Sequence, residues 1–205
     1  ACTNPAHSMP DQKLVRAALE KAEFVVVQDA YRNIDTAAFA DVLLPAASWG
    51  EKEGTVTNSE RRISRVRAAV PAPGEARPDW EIAADFARRL GTKLNHPHTA
   101  RLFPYATAEE IFNEHRATTR GRDLDITGLT YALLEREGPQ QWPYPEGAHG
   151  GRALLYEDGV FATADGRARF VDARHVGTAE NTDARYPLHL TTGRLRDQWH
   201  GMSRT

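Results

Sequence analysis

Phe24-Val25-Val26-Val27-Gln28-Asp29 and Ala40-Asp41-Val42-Leu43-Leu44-Pro45 are the two stretches that decide the fold. The first is an unbroken apolar, largely β-branched run that turns polar at Gln28-Asp29. The second is a shorter apolar run closed by a proline. Apolar runs without alternation suit strands buried on both faces, as in parallel sheets. About fourteen residues separate the two runs, near the lower limit for a crossover, so a right-handed parallel pairing is predicted. One helical turn is expected between them, around Thr36-Ala37-Ala38-Phe39.

On the N-terminal side, Thr3-Asn4-Pro5 and Met9-Pro10 read as loop. A helix follows over 11–22, with Asp11 as N-cap and Leu14, Val15, Ala18, Leu19 and Ala22 on one face. On the C-terminal side, 48–62 lacks a helical period and reads as a long polar loop. A short strand is expected within 63–70. Asp79 opens a helix to Leu90, with Asp79 itself as a candidate N-cap. The Thr107/Glu110 pair is a capping-box pattern that starts another helix to about Arg116. A third short helix is expected over 127–136. Beyond Gly138 the texture becomes rich in Gly, Pro and Gln. Short strands are expected at Ala153–Tyr156 and Ala168–Val171, then a polar linker over 173–185. Tyr186-Pro187-Leu188-His189-Leu190-Thr191-Thr192 reads as a strand entering a new unit, with a boundary near 180.

Composition bounds the function. The chain has 205 residues, 26 basic against 28 acidic, a formal net charge of −2. Bulk charge therefore excludes a polybasic binder of nucleic acid or anionic membranes. No apolar run approaches the roughly 18 residues of a membrane helix. Cys2 is the single cysteine, so this chain's thiolates alone build neither a disulfide framework nor a zinc or iron–sulfur site. The first residue is Ala1 and the last Thr205, with no initiator Met or signal peptide. The chain is therefore expected to be a piece of a longer protein, cytoplasmic by default.

Three places carry candidate chemistry. The strand ends Gln28-Asp29 and Leu44-Pro45 are the first, because ligands of open parallel sheets sit beyond the carboxyl ends of strands. A carboxylate there binds a ribose or a guanine edge, or merely closes a turn. The second is Gly50-Glu51-Lys52-Glu53-Gly54-Thr55 through Asn58. Its glycines let backbone N–H groups approach a phosphate and Lys52 adds positive charge, although the Walker spacing is absent; a plain solvated loop is the alternative. The third is Thr191-Thr192-Gly193-Arg194-Leu195-Arg196-Asp197-Gln198-Trp199-His200-Gly201. Its donors suit a polyanionic or heteroaromatic ligand, or an interface with another part of the protein.

These places coincide with a longer pattern. Val25-Val26-Val27-Gln28-Asp29, then Ala40-Asp41-Val42-Leu43-Leu44-Pro45-Ala46-Ala47-Ser48-Trp49-Gly50-Glu51-Lys52-Glu53-Gly54-Thr55, then Asn58-Ser59-Glu60-Arg61-Arg62, resembles the prokaryotic molybdopterin oxidoreductases, the dimethyl-sulfoxide-reductase superfamily. Cys2-Thr3-Asn4-Pro5 and Pro73-Gly74-Glu75-Ala76-Arg77-Pro78-Asp79-Trp80 fit the same register. Asn113-Glu114-His115-Arg116, Gly121 through Leu129, and Gly138-Pro139-Gln140-Gln141-Trp142-Pro143 look like the assimilatory nitrate reductase branch. The match runs over nearly the whole chain.

The resemblance implies an α/β fold with a Rossmann-like parallel sheet flanked by helices, followed by the first strand and loop of a β-barrel domain. Residues 1–180 look like the molybdopterin-guanine-dinucleotide-binding domain, incomplete at its N-terminus. Residues 186–205 look like the truncated start of the C-terminal cofactor-binding barrel. The family implies molybdenum held by two molybdopterin guanine dinucleotides and a 4Fe-4S cluster in an N-terminal part outside this sequence. It implies nitrate reduction in nitrate assimilation by the intact protein and an inactive isolated piece. Its partners are the remaining domains of the catalytic subunit and an electron-donor protein or domain, with no nucleic acid or membrane. By motif, Asn4, Gln28, Asp29, Lys52, Asp79, Thr192, Gly193, Arg194, Gln198, Trp199 and His200 fall on cofactor-contacting positions. No residue falls on a catalytic or metal-ligating position. The alternatives are a non-catalytic nucleotide-binding or assembly module, and the same superfamily acting on formate or another oxyanion.

Overall fold

The computed structural model describes residues 3–191, 193, 195 and 196. Two compact units are present, one up to Leu155 and one from Tyr156 onward.

In the first unit, Pro5–Ser8 (α1) and Gln12–Lys21 (α2) precede Val26–Asp29 (β1). Asp11, in left-handed backbone, caps α2 by accepting from the Leu14 N–H at 3.2 Å. A 3-10 turn at Asp35–Phe39 then leads to Val42–Pro45 (β2). β1 and β2 pair in parallel, Val26 beside Val42 and Asp29 beside Pro45, as the two apolar runs predict. Their burial departs from expectation. Val27 is buried, but Phe24 is 65% exposed and Val26 and Val42 are also exposed. With two strands in this sheet, side chains that a wider parallel sheet would cover face solvent.

Residues 48–62 are not the loop predicted. Trp49–Glu51 form a 3-10 turn, and Gly54–Thr57 (β3) pairs antiparallel with Arg62–Val66 (β4). Alternating side chains in Thr55-Val56-Thr57 suit a half-buried strand, and Asn58 closes the hairpin by accepting from the Glu60 and Arg62 N–H groups. Asp79–Lys93 (α3), Thr99–Leu102 (α4), Ala108–Thr118 (α5) and Tyr131–Glu137 (α6) follow, then Gln140–Gln141 (β5) against β4. Thr107 and Glu110 form the expected capping box on α5, and Thr130 caps α6 from Leu133 N–H at 3.1 Å. The main core gathers here: Ile63, Phe112, Ile126, Leu129, Tyr131, Leu134 and Tyr144. Gly128 runs so close to the next segment that a Cβ would lie 2.5 Å from the Pro145 carbonyl oxygen.

The strand expected at 153–156, across the boundary of the two units, does not form, and in the second unit 168–171 and 186–191 are likewise without strand structure. Phe170, Leu188 and Leu190 are exposed. A strand needs a partner for its backbone groups, and none is present among the described residues of these segments. Local turns stand instead, such as Phe161 N–H to the Gly166 carbonyl at 2.8 Å. No helix among the described residues is long and apolar enough to cross a membrane.

Candidate functional site

The carboxyl ends of β1 and β2 are brought together with the start of α3 by a third extended segment. The Arg77 N–H donates to the Pro45 carbonyl at 3.2 Å, and the Ala47 N–H donates to the Arg77 carbonyl at 2.8 Å. This parallel bridge sets the first turn of α3 beyond the strand ends, where open α/β sheets place ligands.

Asp79 is the hub. Its expected place as N-cap goes instead to Pro78, which makes no side-chain cap bond. The Asp79 carboxylate, in the first turn, accepts from Gln28 Nε2 at 2.8 Å through one oxygen and from Lys52 Nζ at 2.6 Å through the other. Residues 51 positions apart thus meet because β1 delivers Gln28 at its polar end and α3 begins beside β2. The carboxylate also lies at the positive end of a fifteen-residue helix, which favours negative charge there. Lys52 lies over the Trp49 ring, 5.3 Å from its centroid. The turn carrying Trp49 is fixed on both sides. Ser48 and Glu51 form a reciprocal capping box, and the Gly50 carbonyl accepts from the Ala69 and Val70 N–H groups at 2.7 and 3.0 Å. A cavity of about 510 Å³ lies along Leu43-Leu44-Pro45 and Gly74-Glu75-Ala76-Arg77.

Of the predicted site residues, Gln28, Lys52 and Asp79 meet. Asp29 adjoins Gln28 in β1, but its carboxylate accepts from the Tyr31 N–H at 2.9 Å and closes a turn. Asn4 stands apart from the three, accepting from Thr36 N–H at 3.0 Å and from Thr36 Oγ1 at 2.7 Å. It pins the connection between β1 and β2. Gly193 belongs to the second unit and is exposed. Thr192, Arg194, Gln198, Trp199 and His200 lie outside the described residues. Trp49 and Arg77 were missed as site residues; the signal for Trp49 was an aromatic three positions before Lys52.

The sequence profile described as "Molybdopterin oxidoreductase" matches residues 1–89. Nitrate reductase of Synechocystis sp. is 42% identical over 99% of this chain and 28% of its own length. The assimilatory nitrate reductase catalytic subunit of Bacillus subtilis is 42% identical over 97% of this chain and 27% of its own. By that profile and these relatives, this chain is similar to the molybdopterin oxidoreductases. The F420-dependent formate dehydrogenase subunit alpha of Methanocaldococcus jannaschii is 41% identical over 96% of this chain and 27% of its own length. The chain therefore spans about a quarter of the length of the curated relatives it matches. Among solved structures, acetylene hydratase from Pelobacter acetylenicus aligns with 81% of this chain and 20% of its own, with TM-score 0.52 and 20% identity. That likeness supports the α/β fold alone.

Proposed function

We propose that this chain supplies part of the binding site for bis-molybdopterin guanine dinucleotide in a molybdenum enzyme that reduces nitrate to nitrite. The observation that carries the proposal is the Gln28–Asp79–Lys52 cluster at the carboxyl ends of the parallel strands. Its donor set fits the nucleotide end of such a cofactor. Asp79 accepts from ribose hydroxyls or a guanine N1/N2 edge, Gln28 adds an amide, and Lys52 offsets phosphate charge. The cofactor, when bound, supplies the redox chemistry that converts nitrate, two electrons and two protons to nitrite and water. The residues of this chain position it.

In this reading, residues 1–180 form the nucleotide-binding domain and 186–205 begin the barrel domain, where Gly193 and its neighbours add further contacts. A 4Fe-4S cluster belongs to another part of the protein. The other domains of the catalytic subunit complete the site in the cytoplasm, and an electron-donor protein or domain feeds it. The isolated chain is inactive, because substrate-facing groups come from elsewhere. Formate is the second reading for the substrate, favoured by the relative from Methanocaldococcus jannaschii.

The test uses the full-length protein with Lys52→Met or Asp79→Asn. Molybdenum and acid-released guanine nucleotide per mole of protein are expected to fall at least roughly five-fold, the scale of losing one charge-assisted contact. Wild-type loading in both variants refutes the site. Turnover of the wild-type enzyme with nitrate and with formate decides the substrate.

A further inference from the structure

Trp49 is 63% exposed, whereas the two other described tryptophans, Trp80 and Trp142, are half-buried. Leaving so large an apolar surface in water is unfavourable. Trp49 is nevertheless held on a turn fixed by the Ser48/Glu51 capping box and the two bonds to the Gly50 carbonyl. It is therefore a presented ring on a set backbone. The Lys52 ammonium lies 5.3 Å from the ring centroid and bonds Asp79 at 2.6 Å. An aromatic surface, a cation and a carboxylate thus converge within one hydrogen-bonded cluster.

We infer that Trp49 is the stacking platform for a fused-ring heterocycle whose amino–oxo edge pairs with Asp79. This rests on the nucleotide-site reading above and deepens it. A stacked planar ring gains most on a rigid aromatic surface, because little freedom is lost on binding. A carboxylate accepts two parallel N–H donors, as on the N1–H/N2–H edge of guanine. Pterin presents the same edge; adenine does not. Lys52 then serves the ring through cation–π attraction and offsets the negative charge carried by a nucleotide's phosphates.

The experiment titrates the full-length apoprotein, freed of cofactor, with GDP, ADP and neopterin by calorimetry. Variants are Trp49→Leu, Trp49→Phe, Lys52→Met and Asp79→Asn. Trp49→Leu is expected to weaken GDP roughly ten- to a hundred-fold, the scale of losing one base–aromatic stack. Trp49→Phe is expected to stay within about three-fold of wild type, because it keeps a ring. ADP is expected to bind more weakly than GDP in the wild type. Neopterin bound in a Trp49-dependent way, with GDP failing to bind, identifies the ring as the pterin and upholds the platform. Wild-type GDP affinity in Trp49→Leu, with losses in Lys52→Met and Asp79→Asn, overturns the platform and leaves the nucleotide site standing. Equal losses in Trp49→Phe and Trp49→Leu also overturn it, because packing rather than stacking then explains the residue. If GDP and ADP bind alike, the Asp79 edge pairing falls. Unchanged affinity for every probe in all four variants removes both readings.

Discussion

Around β3, β4 and β5, Ile63, Phe112, Ile126, Leu129 and Leu134 close on one another, and α5 and α6 cover the sheet. Beside β1 and β2, Phe24, Val26 and Val42 stay exposed, and α2 buries no residue. The candidate site belongs to the second region. Backbone pairing and polar contacts define its geometry: the β1–β2 ladder, the Arg77 bridge and the Asp79 cluster. The antiparallel region is held by side-chain packing. Stability and site chemistry are thus drawn from different parts of the first unit, and the two respond differently to mutation.

The largest expected effect tests that division. Leu129 is wholly buried, with 0% exposure, so Leu129→Ala is expected to cost about 3 kcal/mol, the range for large-to-small core changes. Phe24→Ala removes a larger side chain but one already in water, and is expected to cost under about 1 kcal/mol. Urea unfolding of this chain compares them. Equal costs would mean that the parallel sheet carries a core of its own.

The next effect is pH-dependent and local to the antiparallel region. Burial pushes the Asp125 carboxyl up. Hydrogen bonds from the Thr127 hydroxyl, the Thr127 N–H and the Gly121 N–H, with the charge of Arg120, outweigh it and hold the pKa below the ordinary 3.8. A depressed folded pKa contributes stability that is present above the unfolded value and lost as pH falls through the folded one. Stability is therefore expected to decline below about pH 4. Asp125→Asn should cost about 1–2 kcal/mol at neutral pH, as buried hydrogen bonds to a charged group are weakened, and should flatten the acid limb. Amide exchange across 119–127 follows it. An acid limb unchanged in Asp125→Asn would assign the pH response elsewhere.

The same contrast governs what the sequence disclosed. The parallel pair was legible because an unbroken apolar run has one common reading beside a short crossover, and the helices were legible from Asp11, Thr107 and their apolar spacing. Strand β4 overlaps the short strand expected within 63–70, but β3 and its pairing were not legible, because Glu51, Lys52, Glu53, Glu60, Arg61 and Arg62 mask a short alternating strand. Gln28 and Lys52 were recognised singly, but their meeting at Asp79 was not. That meeting depends on Pro78 taking the cap position and Arg77 bridging β2, which no local spacing encodes. Exposure of the parallel strands was also hidden, because a run of valines reports an affinity for burial and not the presence of something to bury it.

The smallest stability effect belongs to the site itself. Lys52 and Asp79 side chains are 22% and 37% exposed, between a surface pair and a buried one. Partial solvent screening leaves such a pair worth under about 1 kcal/mol, and desolvation of both charges offsets part of that. Lys52→Met keeps the aliphatic stem against Trp49 and is expected to shift the urea midpoint only slightly, about 0.5 kcal/mol in either direction. The substitution separates the two roles because the same change is expected to lower nucleotide loading several-fold. A loss near that of Leu129→Ala would make the cluster a structural tie that holds α3 to the strand ends. A small loss beside poor loading shows a charge pair placed where a ligand, rather than the fold, needs it.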